Sequence, residues 1–304
     1  MFDFLDKTGI KFLLEFVKSK LSGKSDSGHT HSKADITDFP DSLPANGGNA
    51  DTVDGLHANE IASNPNLLIN PDFRINQRGL TGWSVAYDDS GVPITATQTY
   101  IMDRWRIMDG TINITNGIIT LAGTIIQVLE NGIGTNFTAT VSVASGTATA
   151  SYDDTTRTFT IIGNRAVLNW AKLECGNVAT PFIPPDPATE LMKCRRYYRT
   201  MSRGALAFAV NAASVVFVDS FEIPMRVDPT AKILSSVALT YCNGWLGQPD
   251  VTEMSIISVN LTKMGACYIH VSGFNVTVGG TEFAANYPFR AATDNFIGFD
   301  AEIY

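Results

Sequence analysis

Apolar and polar residues alternate with two different periods along this chain. The apolar residues of the first segment are spaced by four, three and four: Ile10, Leu14, Val17 and Leu21. This heptad spacing predicts an amphipathic helix within residues 1–23, ended by Gly23. A helix this short is marginal alone in water and needs a partner surface. It either packs on its own domain or, as we favour because no globular pattern follows it, forms a trimeric bundle or a plug into a larger assembly.

Beyond residue 66 the pattern changes to runs of β-branched and aromatic residues separated by Gly, Asn and Asp. Residues 67–187 contain the predicted strands Thr111–Ile114, Gly117–Leu121, Phe137–Val143, Ala148–Tyr152 and Thr158–Ile162. Residues 202–304 contain the predicted strands Ala205–Asn211, Ser214–Ile223, Lys232–Thr240, Ser255–Leu261, Cys267–Phe274 and Phe296–Ile303. Short strands punctuated by turn residues predict two β-sandwich domains of jelly-roll type.

Two connecting segments complete the predicted architecture. Residues 24–66 are polar and rich in Gly and Pro, with too few apolar residues for a core of their own, which predicts an extended shaft wound from three chains. Residues 188–201 read as a short linker helix with Thr189 as its N-cap. The expected fold is mainly β: an N-terminal helix, an extended trimeric shaft, and two β-sandwich domains joined by a short helix.

Composition narrows the classes of function. The chain has 304 residues, 44% hydrophobic and 17% charged, with a net charge of −8. Such a balance argues against nucleic acid or an anionic membrane as a partner, because both need clustered Lys and Arg. No run of eighteen apolar residues and no signal peptide is apparent, so we expect assembly in a cytoplasm without membrane insertion. The cysteines have no metal-type spacing and are expected to be buried thiols: Cys175, Cys194, Cys242 and Cys267.

A histidine pair in the predicted shaft is a candidate metal site. In an extended His29–Thr30–His31 segment both imidazoles lie on one side of the strand. Three chains around a three-fold axis would then offer six nitrogen ligands, enough for an octahedral transition-metal ion. The alternative is that both histidines are simply solvated in a polar linker.

Several motifs resemble segments of bacteriophage tail fibres. GHTHSKADITDF, beginning at Gly28, looks like an HxH collar, and ADTVDGLHANEI (Ala50–Ile61) is similar to a short tail-fibre unit. Three further segments resemble, in order, the carbohydrate-binding-module-like domain of phage tail proteins: Asn66–Gly79 (NLLINPDFRINQRG), Tyr100–Ile107 (YIMDRWRI) and Leu168–Pro185 (LNWAKLECGNVATPFIPP). The resemblance implies a homotrimer whose collar, at His29 and His31, holds one iron ion per trimer. The chain departs from the family in Asn131–Arg165, which is short and predicts one or two fewer strands.

The same resemblance extends through the linker helix. The family has a C-x-R-Y-Y helix and an F-x-x-P-M-R-x-x-P-T unit, which correspond here to Cys194–Tyr198 and Phe221–Thr230. Arg195, Arg196 and Arg199 form the basic cluster of this region. It could bind an anion or nucleic acid, but beside tyrosines at helical spacing we expect ion pairs with acids of a neighbouring subunit.

The loop Tyr241–Asp250 is the candidate receptor site. Aromatic rings on a rigid loop stack on sugar faces, and amide and carboxylate groups supply hydrogen bonds. The residues of this loop expected to contact a receptor are Tyr241, Asn243, Trp245, Gln248 and Asp250. The alternative is a hairpin whose Trp245 caps the core.

No nucleophile, zinc or nucleotide motif is present, so we do not expect an enzyme. The expected function is that of a homotrimeric receptor-binding fibre in the tail of a phage or phage-like particle. It would join a tail or baseplate protein through its first helix and adsorb to a bacterial surface glycan or protein. Two alternatives stay open: a glycan depolymerase carried on a fibre, whose carboxylate pair sequence cannot locate, and a purely structural tail protein.

Overall fold

The computed structural model describes residues 6–22, 52–53, 56–57, 63–134, 136–211, 213–237, 239–241, 250–275, 277–278, 281–282 and 288–303. The chain divides into two compact units, Met1–Ala58 and Asn59–Tyr304. Each is described by itself below. Among the described helices, none is both long and apolar enough to cross a membrane.

The first unit contains the predicted helix. Helix α1 spans Lys7–Leu21, and the Asp6 carboxylate caps it by accepting hydrogen bonds from the N–H groups of Thr8 and Gly9, at 3.1 and 2.7 Å. Gly23 lies outside the described residues, and Ser22 is the C-cap. The apolar residues of α1 are all exposed to solvent in the single chain: Ile10, Phe12, Leu13, Leu14, Phe16, Val17 and Leu21. Two short strands, β1 (Thr52–Val53) and β2 (Leu56–His57), pair as a hairpin in the same unit.

The second unit begins with one antiparallel sheet of six strands. Its strands are β3 (Gly82–Ser84), β4 (Thr99–Met102), β5 (Trp105–Thr115), β6 (Ile118–Val128), β7 (Phe137–Asp153) and β8 (Thr158–Cys175). They pair in the order β3-β5-β6-β8-β7, and β4 adds to β5. The turn at Asn116 and Gly117, both with positive φ, joins β5 to β6, and the Asp153–Thr158 segment joins β7 to β8. Both turns contain the Asn, Asp or Gly residues that are typical of hairpin turns.

The strands of this sheet are longer than the sequence pattern predicts because they bend without ending. Gly110 of β5 lies directly opposite Gly123 of β6, with φ of 73° and 145°. A Cβ atom on Gly123 would lie 2.3 Å from the carbonyl oxygen of Asp109. Gly163 of β8 continues the row. Glycine in a strand allows such a close approach of backbones and a sharp bend. The bent sheet encloses a core that includes Trp105, 0% exposed, and Phe159.

Helix α2 spans Pro187–Arg195, and the prediction of a helix through Met201 is wrong. Its N-cap is Asp186, whose carboxylate accepts from the N–H of Thr189 at 2.8 Å, so Thr189 is inside the helix. Proline suits the first helical position because its missing N–H is not needed there. Residues Tyr198–Met201 form strand β9, since they pair with a strand almost one hundred residues later.

The rest of the second unit is also antiparallel β structure. Its strands are β10 (Leu206–Asn211), β11 (Ser214–Ser220), β12 (Thr230–Ile233), β13 (Leu239–Tyr241), β14 (Asp250–Thr262), β15 (Gly265–Asn275), β16 (Thr277–Val278), β17 (Thr281–Glu282), β18 (Pro288–Ala291) and β19 (Ile297–Asp300). One sheet has the order β13-β18-β10-β11-β15-β14, a second has the order β12-β19-β9, and β16 pairs with β17. Residues of both larger sheets, such as Phe217 and Phe299, share one core.

The described structure is thus mainly β with antiparallel sheets and two helices, as the sequence pattern predicts. All six strands predicted in residues 202–304 overlap observed strands, although Lys232–Thr240 is divided between β12 and β13. The trimeric shaft and the jelly-roll arrangement stay predictions.

Candidate functional site

Two of the segments that carry the tail-fibre resemblance, Asn66–Gly79 and Tyr100–Ile107, contribute to one buried polar network, which we call the junction network. Asn70 is fully buried, and its side-chain amide donates to the carbonyl oxygens of Ile75 and Asp103, at 2.8 and 3.0 Å. Gln77 donates through its backbone and side-chain nitrogens to the two oxygens of the Asp103 carboxylate, both at 2.6 Å. Burial raises the pKa of Asp103 to about 6, although both Gln77 hydrogen bonds act in the opposite direction.

The DRW motif is a tight turn with charged residues inside the protein. Asp103 and Arg104 join β4 to β5, and Arg104 has a positive φ of 70°. The Arg104 guanidinium forms an ion pair with Glu302 and lies 3.7 Å over the Tyr197 ring. Burial alone would lower the pKa of Arg104, but the Glu302 carboxylate reverses this and the pKa is raised. The motif therefore ties the first sheet to the residues that follow β19.

Arg78 is the second arginine of the junction network. Its guanidinium lies 3.8 Å over the Tyr198 ring and within ion-pair distance of Asp300 and Glu302, at 3.3 and 3.4 Å. The Arg226 side chain adds hydrogen bonds to the carbonyl oxygens of residues 301 and 302, at 2.9 and 3.0 Å. These contacts fix residues 300–302 against both cores.

The closing motif of the first sheet forms a separate buried ion pair. The Lys172 ammonium lies 3.1 Å from the Glu174 carboxylate, and both side chains are almost completely buried. Lys172 also donates to the Thr180 hydroxyl at 2.7 Å and to the carbonyl oxygen of Pro181 at 2.9 Å. Burial alone would raise the pKa of Glu174, but the Thr180 hydrogen bonds and Lys172 lower it. The motif residues of both networks hold the fold together, and two residues of the motifs, Arg78 and Tyr100, also line a neighbouring cleft.

An open cleft of about 390 Å³ lies beside the junction network, and we call it the Trp83 cleft. Trp83 comes from β3, is 37% exposed, and donates from its indole nitrogen to the carbonyl oxygen of Thr97 at 2.6 Å. This hydrogen bond fixes the orientation of the ring. The buried rings of Tyr100 and Tyr198 also line the cleft, and Gly298 leaves the room that Tyr198 occupies, since a Cβ atom there would lie 2.7 Å from the Tyr198 hydroxyl.

The polar lining of the Trp83 cleft comes from the sheet that contains β12 and β19. Lys232 and Thr230 of β12 are exposed, and Asp300 of β19 is partly buried. Within the described residues no carboxylate lies within ion-pair distance of Lys232. Leu234, 42% exposed, adds an apolar surface. A fixed indole ring beside a cation, a carboxylate and hydroxyl groups matches the polar and apolar faces of a sugar ring.

The residues predicted to bind a receptor are only partly placed. Tyr241 ends β13 and Asp250 begins β14, at the two opposite edges of the six-stranded sheet. Asn243, Trp245 and Gln248 lie outside the described residues, as do the predicted metal ligands His29 and His31. Over the described ranges, no three His, Cys, Asp or Glu side chains are grouped as a metal site.

The basic cluster is divided among acids of its own chain. Arg196 contacts the Glu130 carboxylate at 3.0 Å, and Arg195 contacts Glu222 at the same distance. Arg199 lies 3.7 Å from Asp219. Each of these arginines therefore has an acid partner in its own chain, while pairing with acids of a neighbouring subunit stays a prediction. Arg196 pairs at a different place from the other two arginines, because its partner Glu130 lies just after the end of β6.

Two further outcomes concern residues singled out from the sequence. Cys194 is buried, and burial raises the pKa of its thiol, but Cys175 is exposed at the end of β8, so the prediction of a buried thiol is wrong there. Trp83 was not predicted as a site residue. Its sequence signal is a tryptophan directly after a glycine, a step that also occurs at Gly244–Trp245.

Comparison with known proteins adds no assignment: no protein-family model, no curated protein and no solved structure matches this chain.

Proposed function

We propose that this chain binds a glycan through the Trp83 cleft and serves as a receptor-binding fibre of a phage or phage-like tail. The observation that carries the proposal is Trp83, whose ring is partly exposed, fixed by a hydrogen bond, and part of a cleft that polar side chains also line. The resemblance of the flanking motifs to phage tail proteins supports the assignment to a tail. The receptor is a bacterial surface glycan or a protein that carries one.

The cleft favours a sugar over a purely apolar ligand. Trp83 and Leu234 provide apolar surface, while Lys232, Thr230 and Asp300 provide donors and acceptors in the same cleft. A sugar ring has the same division, with a C–H face and a rim of hydroxyl groups. Single sites of this kind are weak, and three of them on one trimer would gain affinity through effective concentration.

Binding of the full chain to a glycan array, and to whole host cells, tests the function. Trp83→Ala is expected to lower affinity at least tenfold, because it removes the stacking surface at the centre of the site. Trp83→Phe keeps an aromatic ring and is expected to retain most of the binding. Trp170→Ala is the matched control, since Trp170 stacks on Phe182 at 4.7 Å and does not line the cleft. Equal binding by Trp83→Ala and the unaltered chain would exclude this cleft as the site.

Incubation with host polysaccharide separates this function from the alternatives. A binding fibre leaves the polysaccharide intact, whereas released oligosaccharides would identify a depolymerase. Absence of binding to cells and to every glycan would favour a structural tail protein. In our proposal the fibre is assembled in the bacterial host and is attached by its first helix to a tail or baseplate protein.

The finer architecture belongs to the same proposal. Three chains wind residues 24–66 into a shaft, and each carries two β-sandwich domains of jelly-roll type. His29 and His31 of three chains hold one transition-metal ion, which we expect to be iron. Elemental analysis of the purified protein tests the collar: one metal per three chains is expected, and the double variant His29→Ala and His31→Ala should lose it. Metal retained in that variant would contradict the collar.

A further inference from the structure

A second cleft, of about 620 Å³, lies where α2 and β9 approach the end of β11. We call it the arginine cleft. The charged side chains that line it are Arg195, Arg199, Arg203, Asp219 and Glu222. Its lining therefore combines three guanidinium groups with two carboxylates, a net excess of one positive charge in a chain whose overall charge is −8.

The three arginines reach the cleft from successive elements. Arg195 is the last residue of α2, Arg199 lies within β9, and Arg203 follows β9 in the turn that leads to β10. Each is four residues beyond the one before. The chain changes from helix to strand to turn over these residues, and the three regularly spaced arginines therefore all line the same cleft.

The acid partners of Arg199 and Arg203 use few of the donors of these two guanidinium groups, whereas Arg195 contacts Glu222 at 3.0 Å. The ion-pair distances are 3.7 Å from Arg199 to Asp219 and 3.7 Å from Arg203 to Asp294. Both exceed the length of about 2.7–2.9 Å of a charge-assisted hydrogen bond. The Nε atom of Arg199 is buried and, within the described part of the chain, has no hydrogen-bond acceptor. A guanidinium presents five N–H donors in a rigid plane, so the cleft keeps donors for a planar acceptor.

Arg199 is held in place for such an acceptor. Its guanidinium lies 4.3 Å over the Phe221 ring, and its side chain is only 13% exposed. Burial lowers the pKa of Arg199 and raises the pKa of Asp219, so for both groups burial outweighs the attraction between the two charges. A further anion beside Arg199 would compensate the buried positive charge that Asp219 does not fully compensate.

We infer that the arginine cleft binds the oxyanion of an acidic sugar residue, a carboxylate or a phosphate carried by the ring. Arg199 and Arg203 would hold the anion, and the exposed Glu222 carboxylate would accept hydrogen bonds from sugar hydroxyls. The glycan part of this inference rests on the proposed function. The binding of an anion rests on the arginines of the cleft and does not depend on that function.

Calorimetric titration of the full chain with small probes tests the anion site directly. Sodium D-glucuronate represents the carboxylate, inorganic phosphate the phosphate, and methyl glucoside the neutral sugar. At least one of the two anions is expected to bind more tightly than methyl glucoside, and the stronger of them identifies the source of the charge. Binding of neither anion would overturn the inference.

Variants assign the binding to the cleft. Arg203→Gln removes an exposed donor with little risk to folding, and Arg199→Gln removes the buried one; each is expected to lower anion affinity at least fivefold. Arg199→Lys keeps the charge but not the planar fork, so it should recover only part of the loss. Arg196→Gln is the matched control, because Arg196 belongs to the same cluster but pairs with Glu130 outside the cleft. Unchanged affinity in Arg203→Gln and Arg199→Gln would overturn the inference.

The two proposals can fail separately. Anion binding that survives in the chain while no oligosaccharide binds would leave the arginine cleft as an anion site and remove the proposed glycan function. The opposite result has two parts: the chain binds neither probe anion, and oligosaccharides bind through Trp83 equally well before and after their carboxyl groups are reduced. This result would exclude the arginine cleft as an anion site and leave the proposed glycan function intact.

Discussion

Arg104 and Glu302, 198 residues apart in sequence, form an ion pair whose side chains are 1% and 0% exposed. Arg104 comes from the turn between β4 and β5 of the first sheet, and Glu302 follows β19 of the second β region. The backbone N–H of Arg104 also donates to the Glu302 carboxylate at 3.2 Å. The pair therefore connects two cores that have no strand in common.

Loss of one partner of this pair should be costly. Glu302→Gln leaves the Arg104 guanidinium buried without a counter-charge, and we expect it to lower the free energy of unfolding by about 3–5 kcal/mol. Urea denaturation of the full chain measures the change. Glu222→Gln, which removes an exposed carboxylate paired with Arg195, should change it by less than about 1 kcal/mol.

A double replacement separates a charge effect from a packing effect. Arg104→Met with Glu302→Leu removes both charges and keeps apolar volume, so it should recover a large part of the stability lost in Glu302→Gln. A double variant that is less stable than Glu302→Gln would show that the hydrogen bonds to the backbone around Arg104 matter more than its charge.

Asp103 should make stability depend on pH in a defined window. Its pKa in the folded protein is about 6, above the ordinary value of 3.8. Between these values the folded protein holds a proton that the unfolded chain lacks, so the free energy of unfolding contributed by this group falls as pH rises from about 4 to about 6. Above pH 6 both states are ionised and the contribution is constant.

The variant Asp103→Asn removes this titration. Relative to the unaltered chain, its free energy of unfolding should increase by up to about 3 kcal/mol between pH 4 and pH 7, because 2.2 pKa units correspond to that energy. Denaturation of both proteins at several pH values gives the difference between their free energies of unfolding. The contributions of other titrating groups are the same in both proteins and cancel in this difference. The exposed Asp89→Asn controls for the loss of one negative charge. A difference that falls as pH rises through this window would show that the Asp103 pKa is lowered.

Local signals in the sequence locate turns better than they locate strand ends. The Asn116–Gly117 and Asp153–Thr158 turns follow from residues that tolerate the required backbone angles. The continuous strand β7 was predicted as two strands, since its small residues around Gly146 look like a break. Pairing with the neighbouring strand β8 on both sides of Gly146 makes β7 one continuous strand.

Strand β9 was not predicted from the local sequence pattern, because its structure depends on pairing with a distant strand. Tyr198–Met201 continues a helical spacing, but it pairs with Ile297–Asp300, and the partner strand overrides the local preference. The structural role of the motifs in the junction network could not be predicted, because Gln77 bonds to Tyr198 and Arg104 to Glu302, residues far away in the sequence. Trp83 becomes a site residue only when the sheet containing β12 and β19 is placed beside it.

Gly123 should be irreplaceable where the first sheet bends. A methyl group there would lie 2.3 Å from the Asp109 carbonyl oxygen and 2.7 Å from the Gly110 Cα. Gly123→Ala therefore forces two strands apart, and we expect a loss of about 3 kcal/mol or more in the free energy of unfolding, or failure to fold. Gly117→Ala is the control, because Gly117 also has positive φ, 76°, but no atom lies within 4 Å of its added Cβ. It should cost about 1 kcal/mol. Equal losses would mean that backbone angle alone, and not crowding, requires glycine at position 123.

Helix α1 should mediate self-association of the full chain. Leu14 and Val17 belong to its heptad row and are 53% and 44% exposed in the single chain, as expected of a surface that another chain covers. Sedimentation equilibrium should give the mass of a trimer, and the double variant Leu14→Glu and Val17→Glu should shift it towards the monomer at micromolar concentration by placing charges in the seam. Ser19→Glu, which adds a charge to α1 outside that row, should leave the trimer intact. A monomer in the unaltered chain would contradict the trimer, and a trimer that persists in the double variant would move the trimer contacts away from α1 to the shaft or the β domains.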